Sequence, residues 1–185
     1  MCFDPATVSV LDPIGRPRVD PSTLTRAPRP TRDMVGARVT IVDNRMNGMD
    51  VLTRELVRIL AAEFRASVRH AEMPHFPPIH SFTSEAVTDL FGGADLVLVG
   101  LGNCGSCTTW DARVAAIAMA HAPVLQIVTE PFLPLALSAT RTTGFADPPL
   151  AVLPGPDVTQ WTEGPALEAA ARRVLAAIAP NAVAT

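Results

Sequence analysis

The sequence predicts an α/β protein with a single doubly wound sheet of about five mostly parallel strands, flanked by helices in the Rossmann or flavodoxin-like manner. Short apolar runs alternate with stretches of helical period five times along the chain. The run Leu96–Val99 is apolar without interruption, which is typical of a parallel strand buried on both faces. With 185 residues, of which 48% are hydrophobic, the chain is long enough to bury such a core.

Each element is predicted from its hydrophobic period and from the turn residues that bound it. The predicted strands cover residues 39–42, 67–72, 95–100, 124–128 and 150–153. The predicted helices cover residues 51–60, 81–91, 110–121, 132–142 and 165–179. We expect the second helix to be capped by Ser81 or Thr83 and to end at Gly92.

Residues 1–36 differ from the rest of the chain, because they are rich in Pro, Arg and Asp and show little periodicity. We predict an extended N-terminal arm here, followed by the α/β domain at residues 37–185. The composition favours a tail without a role of its own. The alternative is an arm that wraps a partner subunit, or a second copy of the chain in a homodimer.

Charge and composition exclude several classes of function. The net charge of -3 and the pI near 5.8 provide no basic field for nucleic acid or an anionic membrane surface. All 15 basic residues are arginine, so a Schiff-base lysine and the lysine of a Walker A phosphate loop are both absent. No apolar run reaches the length of a membrane span, and the N-terminus does not resemble a secretory signal. We therefore expect a cytoplasmic protein.

The chemistry is predicted to lie in one close pair of cysteines, Cys104 and Cys107, directly after the strongest strand. Three cysteines in a chain of this size do not make a disulfide framework. The amino end of the following helix favours a thiolate, so the pKa of a thiol there should be lower than the free-cysteine value of about 8.5. Gly105 allows a tight turn, and Ser106 can cap the helix or donate to a substrate. Two thiols at this spacing can also close into a disulfide.

Two other interpretations of the cysteines are weaker. Packing at a tight turn would not require two cysteines within four residues. A zinc site needs three or four ligands, and Cys2, His75 and His80 could join the pair only through the fold. The glycines around Cys104 do not complete a dinucleotide-binding fingerprint. The sequence therefore predicts no metal ligands and no resident cofactor.

Polar residues follow several predicted strands, and the carboxyl ends of parallel strands form the ligand-binding edge of such sheets. The residues predicted to contact a substrate are Asp43, Asn44, Gly102, Asn103, Gly105, Ser106, Thr108, Thr129 and Glu130.

For several of these residues a structural role competes with a role in the site. Asp43 and Asn44 equally suit a turn formed by their own side chains. Helix capping accounts for Thr108 or Thr109. Glu130 suits a general acid or base, but it also suits the start of the next helix.

Structural roles are favoured for five further residues. His75 and His80 are candidate bases for Cys104, although histidines in loops more commonly have no catalytic role. Arg45 could clamp a substrate carboxylate, but solvation at the surface explains it as well. Asp111 is explained by the favourable interaction of an acidic residue with the first helical turn. His121 is expected at the carboxyl end of its helix, with no role in catalysis.

The segment around the cysteines resembles the signature of the UGSC family, named for selenocysteine or cysteine followed by Gly-Ser-Cys. Residues 98–110 read LVGLGNCGSCTTW. Three shorter segments are also similar to the family: LDP at 11–13, VDN at 42–44 and VTEPF at 128–132. The resemblance covers most of the chain, including the proline-rich leader. It implies that Cys104, at the position of the selenocysteine, is the nucleophilic or redox-active residue, and that Cys107 resolves or assists.

Three hypotheses about function follow. The first is a thiol-dependent enzyme acting on a small molecule, with Cys104 as nucleophile, a dithiol/disulfide cycle and an external thiol reductant. The second keeps the Cys104 nucleophile in a lyase, isomerase or hydrolase without a redox step. The third is a metal-binding or accessory subunit that has no catalysis of its own.

Overall fold

The structure, a computed structural model, describes residues 24–26, 34–73, 83–155 and 163–178. Within these residues the predicted α/β fold is confirmed, and each predicted strand and helix is present. The strands are β1 (Thr25–Arg26), β2 (Arg38–Asp43), β3 (Ser67–Glu72), β4 (Leu96–Gly102), β5 (Val124–Thr129), β6 (Phe145–Asp147) and β7 (Leu150–Leu153). The helices are α1 (Met49–Phe64), α2 (Ser84–Phe91), α3 (Gly105–Ala118), α4 (Leu133–Arg141) and α5 (Pro165–Ile178).

Five of the described strands form one parallel sheet in the order β3-β2-β4-β5-β7. When the five strands are numbered along the chain, this is the flavodoxin-like order 2-1-3-4-5. Of the Rossmann and flavodoxin-like arrangements predicted from the sequence, the structure therefore has the flavodoxin-like one. The strand β4 lies at the centre of the sheet, and all seven of its residues are buried. Because its neighbours cover its edges and helices cover its faces, nearly every one of its residues must be apolar or glycine.

A hydrophobic core lies on each face of the sheet. On one face, α1 and α5 pack against side chains that include Ile41, Leu98 and Ile127. On the other face, α2 and α3 pack against side chains that include Val42 and Val99. Alternate residues of each strand therefore serve different helices, as a doubly wound sheet requires.

Two features differ from the sequence predictions, and a third selects between two predicted alternatives. Helix α3 begins at Gly105, five residues before the predicted start at residue 110, so Cys107 lies inside the helix and not in a preceding loop. The cap of α2 is Thr83, whose hydroxyl accepts a hydrogen bond from the Ala86 N–H at 3.3 Å. A short parallel pair, β1 with β6, was not predicted at all.

Most of the predicted arm at residues 1–36 lies outside the described residues. Its described part includes β1, whose Thr25 N–H donates to the Gly144 carbonyl at 2.9 Å. This short segment of the arm therefore runs along the α/β domain of its own chain. Among the helices that the structure describes, none has the length and apolar character needed to cross a membrane.

We expect Leu98→Ala to lower the free energy of unfolding by about 2–5 kcal/mol, because Leu98 is fully buried in the central strand and its truncation leaves a cavity. Chemical denaturation followed by circular dichroism measures the change. The control is Leu135→Ala on the exposed side of α4, which should change stability by no more than about 0.5 kcal/mol. Equal effects at the two leucines would contradict the assignment of β4 as the centre of the core.

Candidate functional site

The site lies at the carboxyl edge of the sheet, between the loops that follow β2 and β4. These neighbouring strands send their chains to opposite faces, since α1 packs on one face and α3 on the other. Such a divergence opens the crevice in which flavodoxin-like sheets bind ligands. Two hydrogen bonds hold the loop after β2 against β4 and the segment that follows it: the Asn44 N–H donates to the Gly100 carbonyl of β4 at 3.0 Å, and Asn103 Nδ2 donates to the Asn47 carbonyl at 3.3 Å.

Cys104 is the N-cap of α3, and Cys107 lies in the first turn of the helix. The two residues form a disulfide, with Cα atoms 5.3 Å apart. The Cys107 N–H points at Cys104 Sγ at 3.1 Å, and Ser106 Oγ lies 3.4 Å from the same sulfur. In the dithiol form, these donors and the positive end of the helix dipole would stabilise a thiolate at Cys104.

The two sulfurs lie in different environments. Cys107 is completely buried, whereas Cys104 is partly exposed at the crevice. Cys107 Sγ lies 3.0 Å from the Cys104 carbonyl oxygen and 3.4 Å from Asn103 Oδ1, so a reduced Cys107 has acceptors for its S–H inside the protein. A molecule arriving from solvent therefore meets Cys104 first.

The hydroxyl groups near the cysteines do not have the expected capping roles. The cap is Cys104 and not Ser106, which leaves the exposed Ser106 hydroxyl at the rim of the crevice. The Thr108 hydroxyl donates to the Cys104 carbonyl at 2.7 Å, and the Thr109 hydroxyl donates to the Gly105 carbonyl at 2.9 Å. Both threonines thus bond backward along the helix, where they fix the backbone of the motif.

Asp111 is completely buried, and the explanation of this residue as a partner of the helix dipole was wrong. It lies in the second turn of α3, below Cys107, and points into the protein. Asn44 Nδ2 donates to both carboxyl oxygens, at 2.9 Å and 3.0 Å, and also lies 3.1 Å from the Leu101 carbonyl. Loss of hydration raises the pKa of Asp111 well above the ordinary value, and the hydrogen bond from Asn44 offsets this only in part.

Asp43 is also buried, but on the opposite face of the sheet. Its Oδ1 accepts the Arg45 N–H at 2.7 Å, which is the turn that the sequence suggested as one alternative. Its Oδ2 lies 3.0 Å from Nε2 of His70, a residue that the sequence pattern does not single out. An isolated histidine in a weak edge strand gives no sequence signal that it pairs with a carboxylate 27 residues away.

The Asp43–His70 pair does not reach the cysteines. The sheet register places His70 beside Ile41, and Ile41 beside Leu98. The end of β4 is therefore roughly 13 Å further along the sheet and about 10 Å to the side of His70. This pair ties β3 to β2 and is too distant to activate Cys104 directly.

The end of β5 forms the third side of the site. The buried Thr129 hydroxyl donates to the Gly102 carbonyl at 3.3 Å, whereas Glu130 is exposed in a single 3-10 turn, Glu130–Phe132. A Cβ at Gly102 would lie 3.0 Å from Thr108 Oγ1, a tight contact, so the close packing of β4 against α3 favours glycine here. Gln126 of β5, which was not predicted as a site residue, is also buried, and its Nε2 donates to the Thr108 carbonyl at 3.3 Å.

The remaining candidates are not part of this arrangement. Arg45 forms an ion pair with Glu72 at 3.1 Å, and both side chains are about half exposed. His121 is exposed beyond the carboxyl end of α3, at the far edge of the sheet from the cysteines. Cys2, His75 and His80 lie outside the described residues.

Fold and site together define a class: a flavodoxin-like α/β protein with a Cys-x-x-Cys motif at the topological switch point of its sheet. The sequence matches the model of the UGSC family over residues 9–183, so the chain belongs to the UGSC family. The match confirms the resemblance seen in the motif. No curated protein matches the sequence.

We expect Asp111→Asn to become more stable relative to the wild type as the pH rises. The pKa of Asp111 is raised in the folded protein, so the folded state holds this proton more tightly than the unfolded state. The wild type is therefore destabilised as the pH rises above about 3.9, the unfolded value, until the folded pKa is passed. Within that pH range, the difference in the free energy of unfolding between Asp111→Asn and the wild type should grow by up to about 1.4 kcal/mol per pH unit.

Urea denaturation of both proteins at a series of pH values measures this difference. The matched control is Asp89→Asn, which removes an exposed carboxylate from α2 and should give a curve nearly parallel to that of the wild type. Parallel curves for Asp111→Asn and the wild type would show that the buried carboxyl is not held protonated by the fold.

Proposed function

We propose that this protein is a thiol-dependent enzyme acting on a small-molecule substrate, with Cys104 as the nucleophile and Cys107 as the resolving thiol of a dithiol/disulfide cycle. The observation that carries the proposal is the disulfide between a partly exposed Cys104 and a buried Cys107 at the amino end of α3. Packing alone gives no reason for a bond between two sulfurs at the ligand-binding edge of the sheet.

The unequal exposure of the two sulfurs supports unequal roles. A nucleophile must reach its substrate, and Cys104 Sγ faces the crevice with an N–H and a hydroxyl close to it. A resolving thiol needs only to reach the nucleophile, and burial protects it from side reactions. The resemblance of the motif to one with selenocysteine at position 104 supports the same assignment of nucleophile and resolving thiol. Selenium in place of sulfur increases nucleophilic reactivity and offers no advantage in packing.

For a substrate R–S–S–R′ the cycle balances as follows. The Cys104 thiolate attacks one sulfur, forms a mixed disulfide with R–S and displaces R′–S⁻. Cys107 then loses its proton and attacks Cys104 Sγ, which displaces R–S⁻ and closes the internal disulfide. Two electrons pass from the protein to the substrate, and an external dithiol returns them.

The crevice offers polar groups that would orient such a molecule. Asn103 and Ser106 lie beside the nucleophile, and exposed Glu130 begins the segment after β5. The amino end of α3, with its backbone N–H groups and the positive end of the helix dipole, would suit a negatively charged or strongly polar part of the substrate. These residues, and not the buried Asp43, are the first candidates for substrate contacts.

We expect alkylation of the fully reduced protein to distinguish the two cysteines. Limited iodoacetamide should modify Cys104 at least about tenfold faster than Cys107, because Cys104 is accessible and its thiolate is stabilised. Peptide mass spectrometry at a series of quench times measures the two rates. Equal rates, or faster modification of Cys107, would contradict the assignment of Cys104 as the nucleophile.

We further expect single substitutions to separate the two chemical roles. With a disulfide probe such as oxidised glutathione, Cys107→Ser should accumulate a mixed disulfide on Cys104, because no thiol remains to resolve it. Cys104→Ser should form no adduct under the same conditions. Intact-mass spectrometry measures the products, and the wild type is the reference, in which the internal disulfide should form instead.

Two outcomes of this experiment would argue against the redox cycle. An adduct on Cys107 in Cys104→Ser at the wild-type rate would reverse the roles. Failure of the wild type to form an internal disulfide, together with a stable adduct on Cys104, would favour the nucleophile of a non-redox lyase, isomerase or hydrolase.

A further inference from the structure

The proposed cycle leaves one group near the cysteines without a role, the buried carboxyl group of Asp111. Burial of an ionisable group costs free energy unless a charge or hydrogen bonds compensate it. Here the hydrogen-bond donor is the amide of Asn44 and not a cation. An Asn or Leu at position 111 would avoid that cost, so a structural role alone does not explain an aspartate at this point of the core.

The position of Asp111 relates it to the buried sulfur. Residues four apart on a helix lie on the same face, with Cβ atoms about 5–6 Å apart. Cys107 and Asp111 have this spacing on α3, and neither side chain is exposed to solvent. The residue beside them, Thr108, has its hydroxyl directed at the Cys104 carbonyl. The carboxyl group is thus the ionisable group one helical turn below the resolving sulfur.

Asn44 holds the carboxyl group in place in either protonation state. Its Oδ1 accepts the Met46 N–H at 3.1 Å, and its Nδ2 also donates to the Leu101 carbonyl. The amide therefore cannot rotate without losing both bonds, and it always presents an N–H to Asp111. An N–H donor suits a carboxylate and also the carbonyl oxygen of a carboxylic acid. The site can accordingly gain or lose a proton without rearranging.

We propose that Asp111 is the proton donor and acceptor for Cys107 when the Cys104–Cys107 disulfide opens and closes. This inference rests on the proposed function, because it assigns a proton-transfer residue to the same dithiol/disulfide pair. A buried leaving thiolate is poorly solvated, so a nearby proton lowers the barrier to its departure. The carboxyl group supplies that proton where water has no access to Cys107.

The step balances with dithiothreitol as the reductant. One of its thiolates attacks the accessible Cys104 Sγ, the S–S bond breaks, and its electron pair leaves on Cys107 Sγ. The Asp111 carboxyl group gives its proton to this sulfur and becomes a carboxylate, which later regains a proton from solvent. The second thiol of the reductant closes its own ring and releases the Cys104 thiolate, so two electrons have moved from the reductant to the protein.

Among the residues that the structure describes, no other ionisable group around α3 replaces Asp111 in this role. Strands β4 and β5, which pack against α3, carry no ionisable side chain. Helix α2 presents Glu85 and Asp89 to solvent, and α4 carries only Arg141, which is exposed. The residue after β2 that contacts Asp111 is the neutral Asn44, because Asp43 lies on the opposite face of the sheet.

The test is the rate at which dithiothreitol reduces the internal disulfide, measured by acid quench, alkylation and intact-mass spectrometry between pH 5 and pH 9. At neutral pH, Asp111→Asn should slow the reduction by about 10²-fold, the lower end of the range for a general acid. After division by the thiolate fraction of the reductant, the wild-type rate should fall with rising pH as Asp111 loses its proton. The variant should lack this fall.

The matched control is Asp89→Asn, which makes the same Asp-to-Asn change at an exposed position on α2, and its disulfide should be reduced at the wild-type rate. If the wild-type disulfide forms and opens normally but Asp111→Asn matches it in rate and pH profile, the role of Asp111 is refuted and the proposed function stands. If the wild type forms no internal disulfide at all, the redox part of the proposed function fails first.

A second measurement does not depend on Asp111→Asn, in case that variant does not fold. Infrared difference spectroscopy of the disulfide form between pH 6 and pH 9, a range in which carboxyl groups in solvent are already ionised, should show loss of the carbonyl stretch of a protonated carboxylic acid. The same difference recorded with Asp89→Asn should be identical, since that carboxylate is in solvent. A spectrum without any carboxylic acid band would overturn the proposal independently of the variant.

Discussion

The parallel pairing of β2 with β4 at the centre of the sheet is the constraint on which the rest of the structure depends. Their register, from Val39 beside Leu96 to Asp43 beside Gly100, brings the ends of both strands to one edge. The following segments must then leave toward opposite faces, because α1 and α3 each cover a different core. The crevice at that edge, with Cys104 in it, results directly from this divergence.

The same divergence explains why the two cysteines differ. Helix α3 starts at Gly105, so Cys104 ends the loop and Cys107 already belongs to the helix. A residue three positions into a helix that packs against the sheet turns toward the core, which accounts for the complete burial of Cys107. A thiol pair with one accessible and one protected sulfur thus follows from where the helix begins.

Burial also explains which side chains near the site were identified from the sequence and which were missed. Asn44, Thr108 and Thr129 stand at strand ends or helix starts, where polar residues are conspicuous beside apolar runs. Asp111 and His70 lie inside elements, where a single polar residue normally faces solvent. The prediction for Asp111 was wrong because the helix begins five residues earlier than predicted. Asp111 is therefore not in the first helical turn, and it lies on the buried face of the helix.

The sequence by itself determined the fold class, the order of strands and helices and the place of the cysteine motif after the central strand. These properties depend on local hydrophobic period and on turn residues, which can be recognised without knowing any long-range contact. Only the tertiary structure decided the flavodoxin-like strand order, the burial of Cys107 and the contact of Asn44 with Asp111 across 67 residues. Contacts of this kind depend on which strands pair and how helices rotate against the sheet, and neither is encoded in a local pattern.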